Sequence, residues 1–154
     1  MKIIADDLRR IIDHALPQLE NIGNEATSVP SGPDKWTIKE ILGHLIDSAC
    51  NNQQKFVRAM AQTGVEFPKY EQEHWVESQK YNQIRWDELI RFWESFNLHI
   101  AHIIENVDPN LLSNTITIDG AGPFTLEFIM SDYNQHLKHH LKQIVPDTEF
   151  DSSF

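Results

Sequence analysis

The sequence predicts an all-α protein, an antiparallel four-helix bundle with crossover connections and a short hairpin-like segment before the last helix. Four stretches carry apolar residues at steps of three and four, the period of an amphipathic helix. Segments rich in proline, glycine and polar residues separate them. A length of 154 residues suits a single core. We therefore expect one bundle domain over residues 1–146 and an acidic C-terminal tail over 147–154.

The first predicted helix carries its apolar stripe from Ile4 to Leu19 and ends near Gly23. Residues 25–35, which include two prolines and a glycine, follow it. Proline and glycine interrupt regular structure, so this stretch is predicted to be a connector.

The second predicted helix has a defined start. Thr37 and Glu40 have the spacing of a capping box, in which each side chain accepts a hydrogen bond from the other residue's backbone N–H. Trp36, just ahead, is placed to pack as a hydrophobic staple. Apolar positions then recur for more than five turns, to a stop near Gly64.

The third helix is predicted from Asn82 to Val107, because a proline two residues later cannot continue it. The fourth is predicted from Thr125 to Val145, where Pro146 ends it. Both carry one apolar stripe, so both can contribute a face to the bundle core.

Two longer connections lie between these helices. Residues 62–81 are predicted to be a loop, either a packed crossover connection or the wall of a pocket, in which Tyr70 and Trp75 could select the substrate. Residues 115–120 alternate like a short strand or hairpin arm. Residues 120–122 lack the third glycine of a nucleotide-binding fingerprint and are predicted to form a turn.

Composition excludes several functional classes. The chain has 13 Lys and Arg against 23 Asp and Glu, a formal net charge of −10, which repels nucleic acid and anionic lipid. No apolar run is long enough for a signal peptide or a membrane span. Cys50 is the single cysteine, so no internal disulfide can form, and it is expected to be a small buried filler. We expect a cytoplasmic protein that acts on a small molecule.

Histidines mark the candidate site. His136 and His140 occupy inward positions of the last helix, and a step of four residues leaves them about 40° apart and one turn apart along its axis. His44 leans toward the same seam from the second helix. Three imidazoles and an open position are typical of a catalytic zinc site, whereas buried imidazoles without partners are costly. The pattern favours a metal site.

The other polar residues have ordinary expected roles. His139 is expected on the surface beside Lys138 and Lys142. Three polar residues lie close in sequence to the predicted ligands and could orient their rings: Asp47, Asp132 and Gln143. Four further histidines are expected at the surface, at a polar rim or in a loop: His14, His74, His99 and His102.

Two segments resemble one known family. The run KWTIKEILGHLIDS over residues 35–48 resembles the second-helix signature of the DinB-like (DinB/YfiT-like) metalloenzymes, and DYNQHLKHHLKQI over residues 132–144 resembles their final signature. The resemblance implies a four-helix bundle of crossover topology and a divalent metal, zinc or nickel, held by three histidines. Those ligands fall on His44, His136 and His140.

The resemblance also implies a function. Some relatives are thiol S-transferases, so we expect first an enzyme that joins a low-molecular-weight thiol to an electrophile at the metal, because a coordinated thiol is deprotonated. Relatives often dimerise, which implies a homodimer. A hydrolase on the same site is the second expectation, since a bound metal also activates water. A metal-binding or stress-associated protein without turnover is a third.

A histidine phosphotransfer module is the remote alternative. Such modules are small helical bundles with one exposed histidine near lysine, and His139 fits that description. This alternative gives no role to His44 or His136. Metal content and phosphate uptake would distinguish it from a metal site.

Overall fold

The computed structural model describes residues 1–146, 148 and 150. Four long helices form a bundle in which α1 packs against α4 and α5, and α2 packs against α4 and α5. The four-helix bundle is therefore confirmed. In chain order the elements are α1 (Lys2–Glu20), α2 (Ile38–Ala61), β1 (Val65–Phe67), α3 (Gln72–Gln79), α4 (Trp86–Glu105), β2 (Thr115–Ile118), β3 (Ala121–Thr125) and α5 (Leu126–Ile144).

The all-α prediction is wrong in one respect, because a three-stranded sheet caps one part of the bundle. β2 and β3 form the predicted hairpin, and β1 pairs with β2 in parallel, with Val65 opposite Ile116. The hairpin turn is at Asp119 and Gly120, both with positive φ, rather than over 120–122. Gly122 belongs to β3.

Residues 62–81 are not a structureless loop, because they hold β1 and α3. α3 buries Val76 and leaves most of its other side chains exposed, so it has no apolar stripe for the sequence to reveal. Residues 81–83 form a 3-10 turn, and α4 therefore begins at Trp86 instead of Asn82.

This segment is anchored on α2 at a glycine. The ring of Tyr81 lies so close to Gly43 that a Cβ there would be 2.1 Å from a ring carbon. The Tyr81 hydroxyl donates to Asp47 Oδ1 at 2.7 Å, and Gln79 Nε2 donates to the same oxygen at 2.6 Å. Gly43 thus allows the close approach that holds the end of α3 beside α2.

A buried polar cluster joins α1 to α5, and we call its residues Asp7, Asn134 and Lys138 the ion-pair seam. Lys138 Nζ lies 3.0 Å from Asp7 Oδ2, and both side chains are almost fully buried. Asn134 Nδ2 donates to Asp7 Oδ2 and to the carbonyl of Ile4, each at 2.9 Å. Lys138 is therefore buried, although it is adjacent in sequence to the exposed His139.

Of the predicted tail, residues 147, 149 and 151–154 lie outside the described residues. Thr148 and Phe150 are both buried, and the Thr148 hydroxyl donates to the side chain of Gln18 on α1. In the part of the chain that the structure describes, no helix is long and apolar enough to cross a membrane.

Candidate metal centre

The seam between α2 and α5 holds three histidines. One nitrogen each from His44, His136 and His140 lies within 4.8 Å of the others. The ring centroids are 4.7 Å apart for His44 and His140, 4.6 Å for His136 and His140, and 5.4 Å for His44 and His136. The structure brings the three sequence-predicted ligands together, and we call them the triad seam.

The start of α2 explains where His44 lies. Thr37 accepts from the backbone N–H of Glu40 at 3.2 Å, and Glu40 accepts from that of Thr37 at 2.8 Å, so the capping box forms as predicted. It fixes the first turn of the helix and brings Trp36 against the site. The Trp36 ring centroid lies 5.1 Å from that of His44.

His44 is the residue that most clearly fits a metal. Its side chain is fully buried, and neither ring nitrogen has a hydrogen-bond partner in the part of the chain that the structure describes. A buried polar atom without a partner carries a desolvation cost of about 1–3 kcal/mol, so such groups are rare in native proteins. An ion bound between the three rings would remove that cost at one nitrogen.

The other two rings have a neighbour on one nitrogen each. Ser48 Oγ lies 3.3 Å from Nδ1 of His136, and the side-chain amide of Gln143 lies 3.3 Å from Nδ1 of His140. Ser48 Oγ can accept from Nδ1–H of His136, which leaves the lone pair of that ring on Nε2 for an ion. The amide nitrogen of Gln143 is a donor, so this contact holds the lone pair of His140 on Nδ1. His140 offers Nε2 to an ion when the Gln143 amide turns its oxygen toward Nδ1.

The seam keeps its histidines neutral. Burial, followed by the charges of His140 and His136, lowers the pKa of His44 to about 3. Burial, followed by His136 and His139, lowers the pKa of His140 to about 4. Burial likewise lowers the pKa of His136, with His139 and Lys55 adding to the effect. All three rings therefore offer a lone pair at neutral pH, the form that binds metals.

The three predicted ring-orienting residues have different surroundings. Gln143 is beside His140, as described, whereas Asp47 accepts from Gln79 and Tyr81. Asp132 lines a cavity with His136. Ser48 is the neighbour that the sequence analysis missed, since a serine one turn after His44 carries no signal by itself.

The remaining histidines are not members of the triad seam, although the ring centroid of His139 lies 5.0 Å from that of His140. His99 and His102 are exposed on α4 and stack with centroids 6.4 Å apart. His14 and His139 are exposed, and His74 lies on α3 instead of in a loop. Within residues 1–146, 148 and 150, the triad seam is the one group of three His, Cys, Asp or Glu side chains close enough to share an ion. Cys50 is half-buried.

Two cavities adjoin the triad seam. One of about 500 Å³ is lined by Trp36 and Gln143, the neighbours of His44 and His140. The other, of about 180 Å³, is lined by His136 itself and by Tyr70. Trp75 pairs with Tyr70 at a centroid distance of 5.2 Å but lines neither cavity. A small molecule can therefore reach the ring of His136 through the smaller cavity, whereas the larger cavity is bounded by neighbours of the rings and by none of the three histidines.

A helical bundle with three neutral histidines gathered between two of its helices defines a class of metal-binding bundle proteins. The model of the DinB superfamily matches residues 7–144. The chain belongs to the DinB superfamily, as the two sequence signatures indicate.

Similar proteins carry a common description. A "putative metal-dependent hydrolase" of Bacillus mycoides strain KBAB4 is 22% identical over 145 residues, which cover 87% of this chain and 83% of that protein. One of Oceanobacillus iheyensis is 24% identical over 139 residues, 90% of this chain and 78% of that protein. YfiT from Bacillus subtilis, described as a "probable metal-dependent hydrolase with an unusual four-helix bundle topology", has the same fold, with a TM-score of 0.83 at 16% identity over 93% of this chain and 82% of YfiT.

Proposed function

We propose that this protein is a metal-dependent hydrolase and that His44, His136 and His140 hold its divalent ion. The observation that carries the proposal is His44, whose two buried nitrogens have no partner and whose ring faces two other neutral imidazoles. The names of the relatives support hydrolysis as the reaction. Zinc is the first choice of metal and nickel the second, because imidazole nitrogen suits both.

Three protein ligands suit a catalytic ion, which keeps a position for water or substrate. Bound there, zinc would lower the pKa of a water molecule to about 7 and polarise the substrate carbonyl or phosphoryl group. The chain's own residues contact all three rings: Ser48 lies beside His136, Gln143 beside His140 and Trp36 beside His44.

The thiol S-transferase, which the sequence analysis placed first, would use the same ion with a low-molecular-weight thiol in place of water. No comparison favours it, and the relatives' names favour the hydrolase. Consumption of a thiol with an electrophile, but no hydrolysis, would reverse that order. Stoichiometric metal with neither reaction would favour the non-catalytic metal-binding protein.

Elemental analysis followed by turnover assays tests the proposal. We expect about one equivalent of zinc or nickel per chain and metal-dependent hydrolysis of an ester, amide or phosphoester from a panel. His136→Ala should lose both. The matched control is His99→Ala, an exposed histidine on α4 that should keep both. Absence of metal after zinc loading, or full metal content in His136→Ala, would refute the site.

A further inference from the structure

The smaller cavity extends from the triad seam along the groove between α2 and α5. Its volume is about 180 Å³. α2 contributes Ser48, Asn52 and Lys55 to its wall, and α5 contributes Asp132 and His136. The wall of the cavity therefore includes one predicted metal ligand, His136.

The spacing of these residues gives the cavity a direction. Ser48, Asn52 and Lys55 are four and three residues apart, so they line one face of α2. Lys55 lies about 10 Å along the helix axis from Ser48, at 1.5 Å per residue. Because Ser48 contacts His136, the row leads from the triad seam to a charged end.

That end carries one cation, Lys55, and one exposed anion, Asp132, and among the described residues neither forms an ion pair. Lys55 is half-buried, with Nζ 5.5 Å from the centre of the Phe67 ring. Burial lowers the pKa of Lys55, whereas the charge of Asp132 acts in the opposite direction. Two opposite charges that face one cavity, unpaired, complement a ligand that brings both counter-charges.

We propose that this cavity is a substrate subsite for an α-amino-acid end group, an inference that rests on the proposed function. The carboxylate lies at Lys55, the ammonium at Asp132, and the rest of the substrate extends to His136 and the metal. A net charge of −10 disfavours the approach of a purely anionic ligand. A zwitterion has no net charge, so it enters without that penalty.

Four thiols of matched length test the subsite, because thiolate binding to a cobalt(II)-substituted protein produces a visible charge-transfer band. L-Homocysteine carries both charges, 4-mercaptobutyrate the carboxylate alone, 3-mercaptopropylamine the ammonium alone and 1-propanethiol neither. We expect L-homocysteine to bind about tenfold or more tighter than 1-propanethiol, the effect of one charge-assisted hydrogen bond or more. Equal affinities for the four thiols would overturn the subsite.

Two variants test which residue binds the carboxylate of the ligand and which binds its ammonium group. Lys55→Met should weaken L-homocysteine and 4-mercaptobutyrate by about tenfold and leave 3-mercaptopropylamine unchanged. Asp132→Asn should weaken L-homocysteine and 3-mercaptopropylamine instead. Lys69→Met and Glu127→Gln, at exposed positions, are the charge-matched controls. Controls that weaken binding as much as the cavity variants would mean bulk electrostatics and overturn the assignment.

A sulfur-free ligand separates the subsite from the metal centre. L-2-Aminobutyrate has the same end group, and we expect it to shift the ¹⁵N–¹H NMR signals of Asn52, Lys55 and Asp132 in the zinc-loaded and metal-free proteins alike. No shift in a protein that hydrolyses substrates would overturn the subsite alone. If L-2-aminobutyrate shifts these signals but the protein proves unable to bind zinc or nickel, the subsite would be supported and the proposed function refuted.

Discussion

Helix α5 carries two polar pairs of the same spacing on opposite faces. Asn134 and Lys138 face α1 in the ion-pair seam, and His136 and His140 face α2 in the triad seam. Within the first seam, Asp7 accepts from Lys138 and from the amide nitrogen of Asn134, although Asn134 Oδ1 lacks a partner among the described residues. Within the second, neither ring nitrogen of the buried His44 has a hydrogen-bond partner among those residues.

The comparison distinguishes buried polar groups that have partners within the chain from buried polar groups that lack them. A buried polar group is stable when its partners are already present, as Asp7 is between Lys138 and Asn134. A buried group left without partners in the folded chain reduces stability, and the fold retains it where a ligand supplies the missing contact. The same helix therefore contributes to stability on one face and, in the function we propose, to metal binding on the other.

The largest expected effect comes from breaking the ion-pair seam. Lys138→Met leaves the buried carboxylate of Asp7 with Asn134 and the longer, 3.5 Å contact to the half-exposed Arg10, so the free energy of unfolding should fall by about 3 kcal/mol. Urea denaturation of the metal-free protein measures it. Lys142→Met, at an exposed position of the same helix, should change it by less than about 0.5 kcal/mol. Equal losses in the two variants would contradict the comparison.

The second-largest expected effect is a loss of metal affinity at the triad seam. Ser48→Ala removes the hydroxyl beside Nδ1 of His136, and loss of such a contact typically lowers metal affinity by about 10–100-fold. Competition with a chelator measures the affinity. The control is Ser95→Ala on an exposed position of α4. Unchanged affinity in Ser48→Ala would show that Ser48 does not orient the ring.

A third substitution should raise the stability of the metal-free protein instead of lowering it. His44→Leu removes two unpartnered buried nitrogens, so the metal-free protein should gain about 1 kcal/mol while it loses metal binding. Denaturant midpoints of the metal-free wild type and variant give the difference, with His99→Leu as the exposed control. A loss of stability would mean that the His44 ring contributes to the core in spite of its free nitrogens.

The smallest effect is a dependence on pH. The pKa of His44 is about 3 in the folded protein and near 6.5 in the unfolded chain, so between these values the unfolded chain binds more protons. The contribution of His44 to the free energy of unfolding is therefore most favourable above pH 6.5 and decreases as the pH falls. At pH 6 the gap between His44→Leu and metal-free wild type should widen by about 0.8 kcal/mol. A gap that is constant from pH 7.5 to 6 would rule out this pKa.

Local patterns gave the predictions that succeeded. A capping box and an apolar period are properties of neighbouring residues, so α2 could be placed from Thr37 and Glu40 alone. The same phase argument put His44, His136 and His140 on facing sides of two helices, where the structure has them.

Long-range contacts explain what the sequence did not reveal. The burial of Lys138 has no local signal, because its partner Asp7 is 131 positions away. The contact between Ser48 and His136 spans 88 positions. β1 has three residues and depends on β2 for its hydrogen bonds, so its own sequence has no strand period to detect.

The parallel pairing of Val65 with Ile116 has a consequence for the order of folding. Two strands that are distant in sequence meet only after the intervening chain has closed on itself, and such closure slows folding. Ile118, on β2, also lines the cavity beside His136. During synthesis, this wall is completed only after β2 has left the ribosome, long after α2, so we expect it to be among the last parts of the molecule to assemble.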